Sequence, residues 1–231
     1  MIKKILIIGY GDIGKRLVKI LDTNTAKIFA ISRNDIIDEK IINVNWNWLS
    51  NTYLEINESN FDSVIIIPKP SELNEQGYKD GFLTAIDNIL NSLKAFQIKK
   101  VIAISSTRVY GDHQKGLINE KSEQNPTDYR GRFIKEYESK ISKSFIKKVT
   151  ILRFSGLYDK DSKKISHNSL HRDQAAKIIQ FFINNNPEKS DIDFYNCSED
   201  SEIKASVKSI SNLKLKSAGF DFKKLDLEEK P

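Results

Sequence analysis

Short runs of isoleucine, valine and leucine alternate along the chain with longer stretches whose apolar residues recur every three or four positions. "KKILIIG" reads as a buried strand and "DIGKRLVKILDTN" as the helix that follows it. "AKIFAISR" and "DSVIIIPK" are further strands. "DGFLTAIDNILNSLKAFQI" places Phe82, Leu83, Ile86, Ile89, Leu90 and Leu93 at helical spacing. After it come the strand "KKVIAISS", the helix "YRGRFIKEYESKISKSF" and the strand "KVTILRF". The helix "HRDQAAKIIQFFINN" is ended by Asn184 to Asn186 and Pro187, and "DIDFYNC" is a short strand. "SVKSISNLKLKSAG" reads as a last helix closed by Gly219. Within "VNWNWLSNTYLEINESN" a short third strand and a weak helix are expected, with Trp46 and Trp48 alternating as strand residues do. Strands apolar on both faces and separated by helices predict an α/β fold, a parallel sheet covered on both sides.

Composition narrows this picture only a little. The 231 residues suit one large domain, or one with a small appendage, and can bury a sizeable core. No apolar run is long enough to span a membrane. The N-terminal apolar run breaks at Gly9 with no small-residue cleavage site, so a strand is a better reading than a signal peptide. A single cysteine, Cys197, excludes an internal disulfide and a cysteine metal site and fits a reducing, cytoplasmic compartment. No metal is expected. The net charge of +6 raises nucleic-acid binding, but the lysines occur as scattered pairs such as Lys99-Lys100 without interleaved aromatics, so none is expected.

Gly9, Gly11 and Gly14 form G-x-G-x-x-G between the first strand and the first helix, the context in which that pattern signifies a dinucleotide site. Gly9 permits the turn, Gly11 lets the backbone approach a pyrophosphate, and Gly14 lets helix and strand pack closely. The helix start offers free N–H groups and the positive end of its dipole. At the end of the second strand, where an acidic residue would select NAD, stand Ser32 and Arg33. A guanidinium pairs with a 2′-phosphate, which favours NADP; Asp35 leaves NAD open.

"ISSTRVYGD" at residues 104–112, taken with the glycine loop, resembles the extended branch of the short-chain dehydrogenase/reductase superfamily, the NAD-dependent epimerase/dehydratases. "ILRFSGLY", "SLHRDQAAKII" and "FYNCSED" resemble later segments of that family in the same order, so the likeness covers almost the whole chain. It implies a Rossmann-type doubly wound sheet over residues 1–231. Residues 155–231 would contribute a reduced substrate side, a small C-terminal lid, because the family's Gly-Pro-Gly turn and long insertion are missing from "GLYDKDSKKISHNSLHRDQ". It also implies that Asp12, Ile13, Pro68 and Ser105 join the glycines, Ser32 and Arg33 in holding the cofactor. Ser106 would bond the reacting oxygen. The His171–Asp173 segment would dock a helix rather than do chemistry.

The family's Tyr-x-x-x-Lys pair is broken. Tyr129 is followed at i+4 by Phe133. Anchoring the family's pattern on Pro126 and Glu138 instead places Arg130 at the tyrosine position and Ile134 at the lysine position. Tyr129 is then one residue early, roughly 100° around a helix. Arg132, three residues on, is the candidate substitute cation. Two functions therefore remain open: a nicotinamide-dependent reductase, epimerase or dehydratase acting on a small hydroxyl or carbonyl substrate through Ser106, Tyr129 and Arg132, or a protein that holds NADP(H) without chemistry. The helices around 82–96 and 129–145 would allow a homodimer.

Overall fold

The computed structural model describes residues 2–50, 52–187 and 190–222. Seven parallel strands make the central sheet: β1 (Lys3–Ile8), β2 (Ala26–Ser32), β3 (Ile42–Asn45), β4 (Ser63–Ile66), β5 (Val101–Ser106), β6 (Val149–Phe154) and β7 (Ile192–Cys197). Their spatial order is β7-β6-β5-β4-β1-β2-β3. The chain works outward from β1 in one direction and then returns to continue outward from β4, a doubly wound Rossmann-type topology. The crevice at the reversal lies between β1 and β4, beyond their C-terminal ends.

Alternation along β1 divides the core. Leu6 and Ile8 pack toward α3 (Ala85–Leu93) and α4 (Tyr129–Ser142), with Ile86, Ile89, Leu93, Ile134, Tyr137 and Ile141. Ile5 and Ile7 pack toward α1 (Asp12–Ile20) and α5 (Arg172–Asn184), with Leu17, Ile178 and Phe182. Covered on both faces, these strands carry the continuous apolar runs seen in the sequence.

The structure departs from the sequence reading in three places. The helix expected from Asp80 begins earlier, at α2 (Glu75–Lys79), capped by the Asn74 side chain on the Gly77 N–H, and passes through a π-helical turn at Asp80–Thr84 into α3. The extra residue in that turn lets Gly81 lie against the Lys69 carbonyl and Pro70, where a Cβ would stand 2.3 Å from Lys69 O. Among the described residues between β3 and β4 the weak helix is not formed: the chain turns at residues 47–50, and the Trp46 indole N–H donates to the Thr52 carbonyl. The last expected helix is divided. Lys208–Ile210 is a strand paired with Gly116–Ile118, and only α6 (Leu213–Ser217) is helical, closed at Gly219 with φ +104°.

Short strands outside the central sheet follow β5, β6 and β7. Gly156–Tyr158 pairs with Ser169–His171, and the 116–118 strand pairs with 208–210. Among the described residues no helix is long and apolar enough to cross a membrane.

Candidate active site

The glycine loop leaves β1 at Gly9, whose φ of +104° requires glycine. A Cβ there would also stand 2.3 Å from Ile67 O, so the loop is pressed against the chain leaving β4. Gly11 differs: a Cβ on it would meet nothing within 4 Å. It is also the N-cap of α1, and no side chain caps the helix. The first-turn N–H groups thus face an open space at a helix start, a cradle that fits a pyrophosphate. Gly14 packs closely, with its Cβ position 3.2 Å from Gly9 O, and Ile13 is buried beneath the loop.

Tyr10, between the glycines, is buried and donates its hydroxyl to Asp38 at 2.8 Å. Burial pushes this phenol up from its ordinary value, and the bond to Asp38 and its charge push it further. The contact ties the 33–40 loop to the glycine loop. Ser32, at the end of β2, accepts the Asn34 N–H at 3.2 Å, and Asp35 in the loop accepts from Asn45. Arg33 is exposed and makes no side-chain hydrogen bond or ion pair among the described residues.

Asp12, the first residue of α1, is held by charge. It bonds Arg16 at 3.1 Å and Arg172, at the start of α5, at 2.9 Å; Arg16 also reaches Asp173, and Arg172 reaches Asp159 at 3.3 Å. These pairs clasp the segment after β6 to the glycine helix. Desolvation works against ionising Asp12, but the bonds from Arg172 and Arg16 outweigh it and hold the carboxyl below its usual value. A folded pKa below the unfolded one of about 3.9 gives stability that is full above about pH 4 and lost as pH falls through the lowered value. Asp12→Asn is therefore expected to lower the urea midpoint at pH 7, with the difference from wild type shrinking at pH 3. An equal difference at both values would mean that the clasp does not contribute in this way.

A buried network underlies the end of β5. Glu138 on α4 and Arg153 on β6, with side chains 3% and 1% exposed, meet in a two-point pair at 2.9 and 2.7 Å. Ser105 donates to Glu138 at 2.6 Å, Arg153 donates to the Tyr110 hydroxyl at 2.7 Å, and Tyr110 donates to Asn196 at 2.9 Å. Ser105 is thus committed to the interior. Its neighbour Ser106 accepts the Arg108 N–H at 3.2 Å, which leaves its own O–H to donate elsewhere. The pairing of Glu138 with Arg153 is not evident from the spacing along the chain. The missed signal was an arginine inside an apolar strand, which needs a buried acid.

Tyr129 is the first residue of α4, after the Asp128 N-cap. Its ring meets Tyr78 edge-on at 5.7 Å and leans on Phe133 at 6.4 Å. No hydrogen bond joins it to Ser106. The guanidinium at its hydroxyl belongs to Arg130, with Nε at 3.5 Å, while Arg132 is exposed and has no side-chain partner among the described residues. Ile134 is buried in the core. Pro68 and Trp48 line a small apolar cleft with Ile66, Ile67 and Gly81 at the ends of β1 and β4. His171 is buried; its Nδ1 accepts the Asp173 N–H, so it caps α5, and no group of potential metal ligands occurs among the described residues.

The model of the family described as "NAD dependent epimerase/dehydratase family" matches residues 5–167, which include the glycine loop, β5 and α4. The chain belongs to this family. Protein YeeZ of Escherichia coli strain K12 is 33% identical over 93 residues, 40% of this chain and 33% of YeeZ, so the matched stretch spans a third of that relative's length. A UDP-glucose 4-epimerase structure superposes with a TM-score of 0.75 at 15% identity, covering 98% of this chain and 94% of the other. The UDP-glucuronic acid 4-epimerase of Bacillus cereus, solved with NAD, gives 0.68 at 15% identity over 90% and 87%. These two likenesses are of fold. Membership of an NAD-dependent epimerase/dehydratase family supports a nicotinamide cofactor.

Proposed function

We propose that this protein binds NADP(H) and interconverts a hydroxyl and a carbonyl on a small substrate. The observation that carries the reading is the open cradle at Gly11 at the uncapped start of α1, with the unpaired Arg33 at the end of β2. Gly9, Gly11, Gly14 and the N–H groups of Asp12 and Ile13 would hold the pyrophosphate, Arg33 and Ser32 the 2′-phosphate, and Pro68 the cleft wall. Bound there, the nicotinamide supplies or accepts a hydride. Ser106 would donate a hydrogen bond to the reacting oxygen. Tyr129 would hold the proton, with Arg130 in place of the expected Arg132 as the cation at its hydroxyl. The reading treats 1–231 as one cytoplasmic domain, with the part from 155 on as its reduced substrate side and with α3 and α4 as the surface of a homodimer.

A second reading, a protein that holds NADP(H) without turnover, is favoured by one observation. No lysine stands on α4 where the family's pair would put it: Phe133 and Ile134 fill those positions, and Ile134 is core. Titration of NADPH and NADH into wild type and Arg33→Ala tests the cofactor. Loss of a charge-assisted phosphate contact is expected to weaken NADPH about ten- to a hundredfold and NADH little. Equal loss for both would remove Arg33 from the site. NADPH oxidation with a panel of small aldehydes and ketones tests the chemistry: Tyr129→Phe should abolish it with NADPH affinity intact. Binding without turnover by wild type would favour the second reading.

A further inference from the structure

The first turn of α4 carries a guanidinium, that of Arg130, that forms no ion pair among the described residues. Asp128, two residues before it, is committed: one oxygen accepts the Gly131 N–H at 2.8 Å and the other accepts from Arg108 at 3.1 Å. The one side-chain hydrogen bond of Arg130 among the described residues is the long contact from Nε to the Tyr129 hydroxyl. Two rings hold it, with its central carbon 5.8 Å from the Tyr78 ring centre and 5.6 Å from that of Tyr129. Tyr78 is itself fixed, stacked on Phe82 at 5.7 Å and 10°, and Phe82 meets the buried Tyr137 edge-on at 5.6 Å. Phe82 lies in the π-helical turn, so the irregularity in that helix supports the face on which the guanidinium rests.

A cation at the start of a helix is opposed by the helix dipole, which favours an anion there; the Asp128 carboxylate supplies one as the N-cap, and the guanidinium beside it stays unpaired. A guanidinium held by aromatic faces, with its two terminal nitrogens unengaged, is prepared to grip a planar or tetrahedral oxyanion with little further loss of freedom. The same turn lies against the chain leaving β5: a Cβ on Gly131 would stand 2.9 Å from the carbonyl of Arg108, whose N–H bonds Ser106. The pairing of Glu138 with Arg153 and Ser105 fixes that helix against the ends of β5 and β6.

We propose that Arg130 is the anion-binding group of the substrate site, and that the substrate carries a carboxylate or a phosphate monoester beside its hydroxyl or carbonyl carbon. This rests on the reading that the cleft takes a dinucleotide and a small substrate. The test titrates the full chain, with and without saturating NADPH, with malonate against malonamide and with glycerol 3-phosphate against glycerol. At least one anion should bind more tightly than its neutral counterpart. Arg130→Gln should weaken that anion about ten- to a hundredfold with an unchanged melting temperature. Lys143→Gln, which removes the same charge from the far end of α4, should not. Arg130→Lys should recover only part, because it restores charge without the fork. Anions that bind no better than neutral counterparts, or that bind Arg130→Gln as they bind wild type, would overturn the proposal. A protein that takes the anions through Arg130 but does not bind NADPH would overturn the cofactor reading and leave this one standing.

Discussion

Glu138→Ala is expected to destabilise the protein by about 3–5 kcal/mol, since removing one partner of a buried pair leaves the other charge without compensation. That is a large part of a stability of about 5–15 kcal/mol. The charge left behind is Arg153, 1% exposed, between the rings of Tyr110 and Phe194 at 5.1 and 4.6 Å. Burial opposes its ionisation, but the bonds to Glu138 outweigh this and raise its pKa above the usual value. Alanine would remove that compensation and strand the Ser105 hydroxyl as well. The double variant Glu138→Leu with Arg153→Met is expected to recover much of the loss, because a buried pair replaced by apolar groups of similar volume often leaves stability unchanged or higher. Urea denaturation of the three proteins measures this. A single variant within about 0.5 kcal/mol of wild type, the ordinary range for surface changes, would show that the pair is not buried as described.

The sheet was legible because strands covered on both faces must be apolar throughout, and "KKILIIG", "DSVIIIPK" and "KKVIAISS" stand out against polar flanks. The glycine loop was legible for a similar reason, since its spacing answers to the positive φ at Gly9 and the close packing at Gly14. What escaped was structure with no period of its own. A π-helical turn adds one residue inside an otherwise helical pattern, and the apolar positions from Phe82 to Leu93 still fit a plain helix. The strand at Lys208–Ile210 is three residues long, too short to show alternation against the helix that follows. The candidate site escaped in part because its partners are distant in the chain. Tyr10 meets Asp38, Arg16 meets Asp173, and Tyr78 meets Arg130 only once the elements are packed. Spacing from Tyr129 points to Arg132 as the cation. The side chain of Arg130 folds back over the ring beside it, a contact that spacing along a helix does not reveal.

The second large effect is expected at Gly11, and it bears on whether this site holds a dinucleotide at all. A side chain at Gly11 meets no protein atom within 4 Å of its Cβ position, and the residue's φ of −94° is open to any amino acid. Gly11→Val should therefore leave the fold intact. Yet the space it fills is the space the pyrophosphate would take beside the uncapped N–H groups of α1. Gly9→Ala is the contrasting case, strained by its φ of +104° and by Ile67 O, and should unfold more readily. Calorimetric titration of NADPH into wild type and Gly11→Val, each with its melting temperature recorded, is the most direct test. The predicted result is saturable binding to wild type, loss of about a hundredfold or more in the variant by steric exclusion from the close approach that glycine allows, and melting temperatures that agree without ligand. Equal NADPH affinity in the two folded proteins would contradict the placement of the cofactor at this loop.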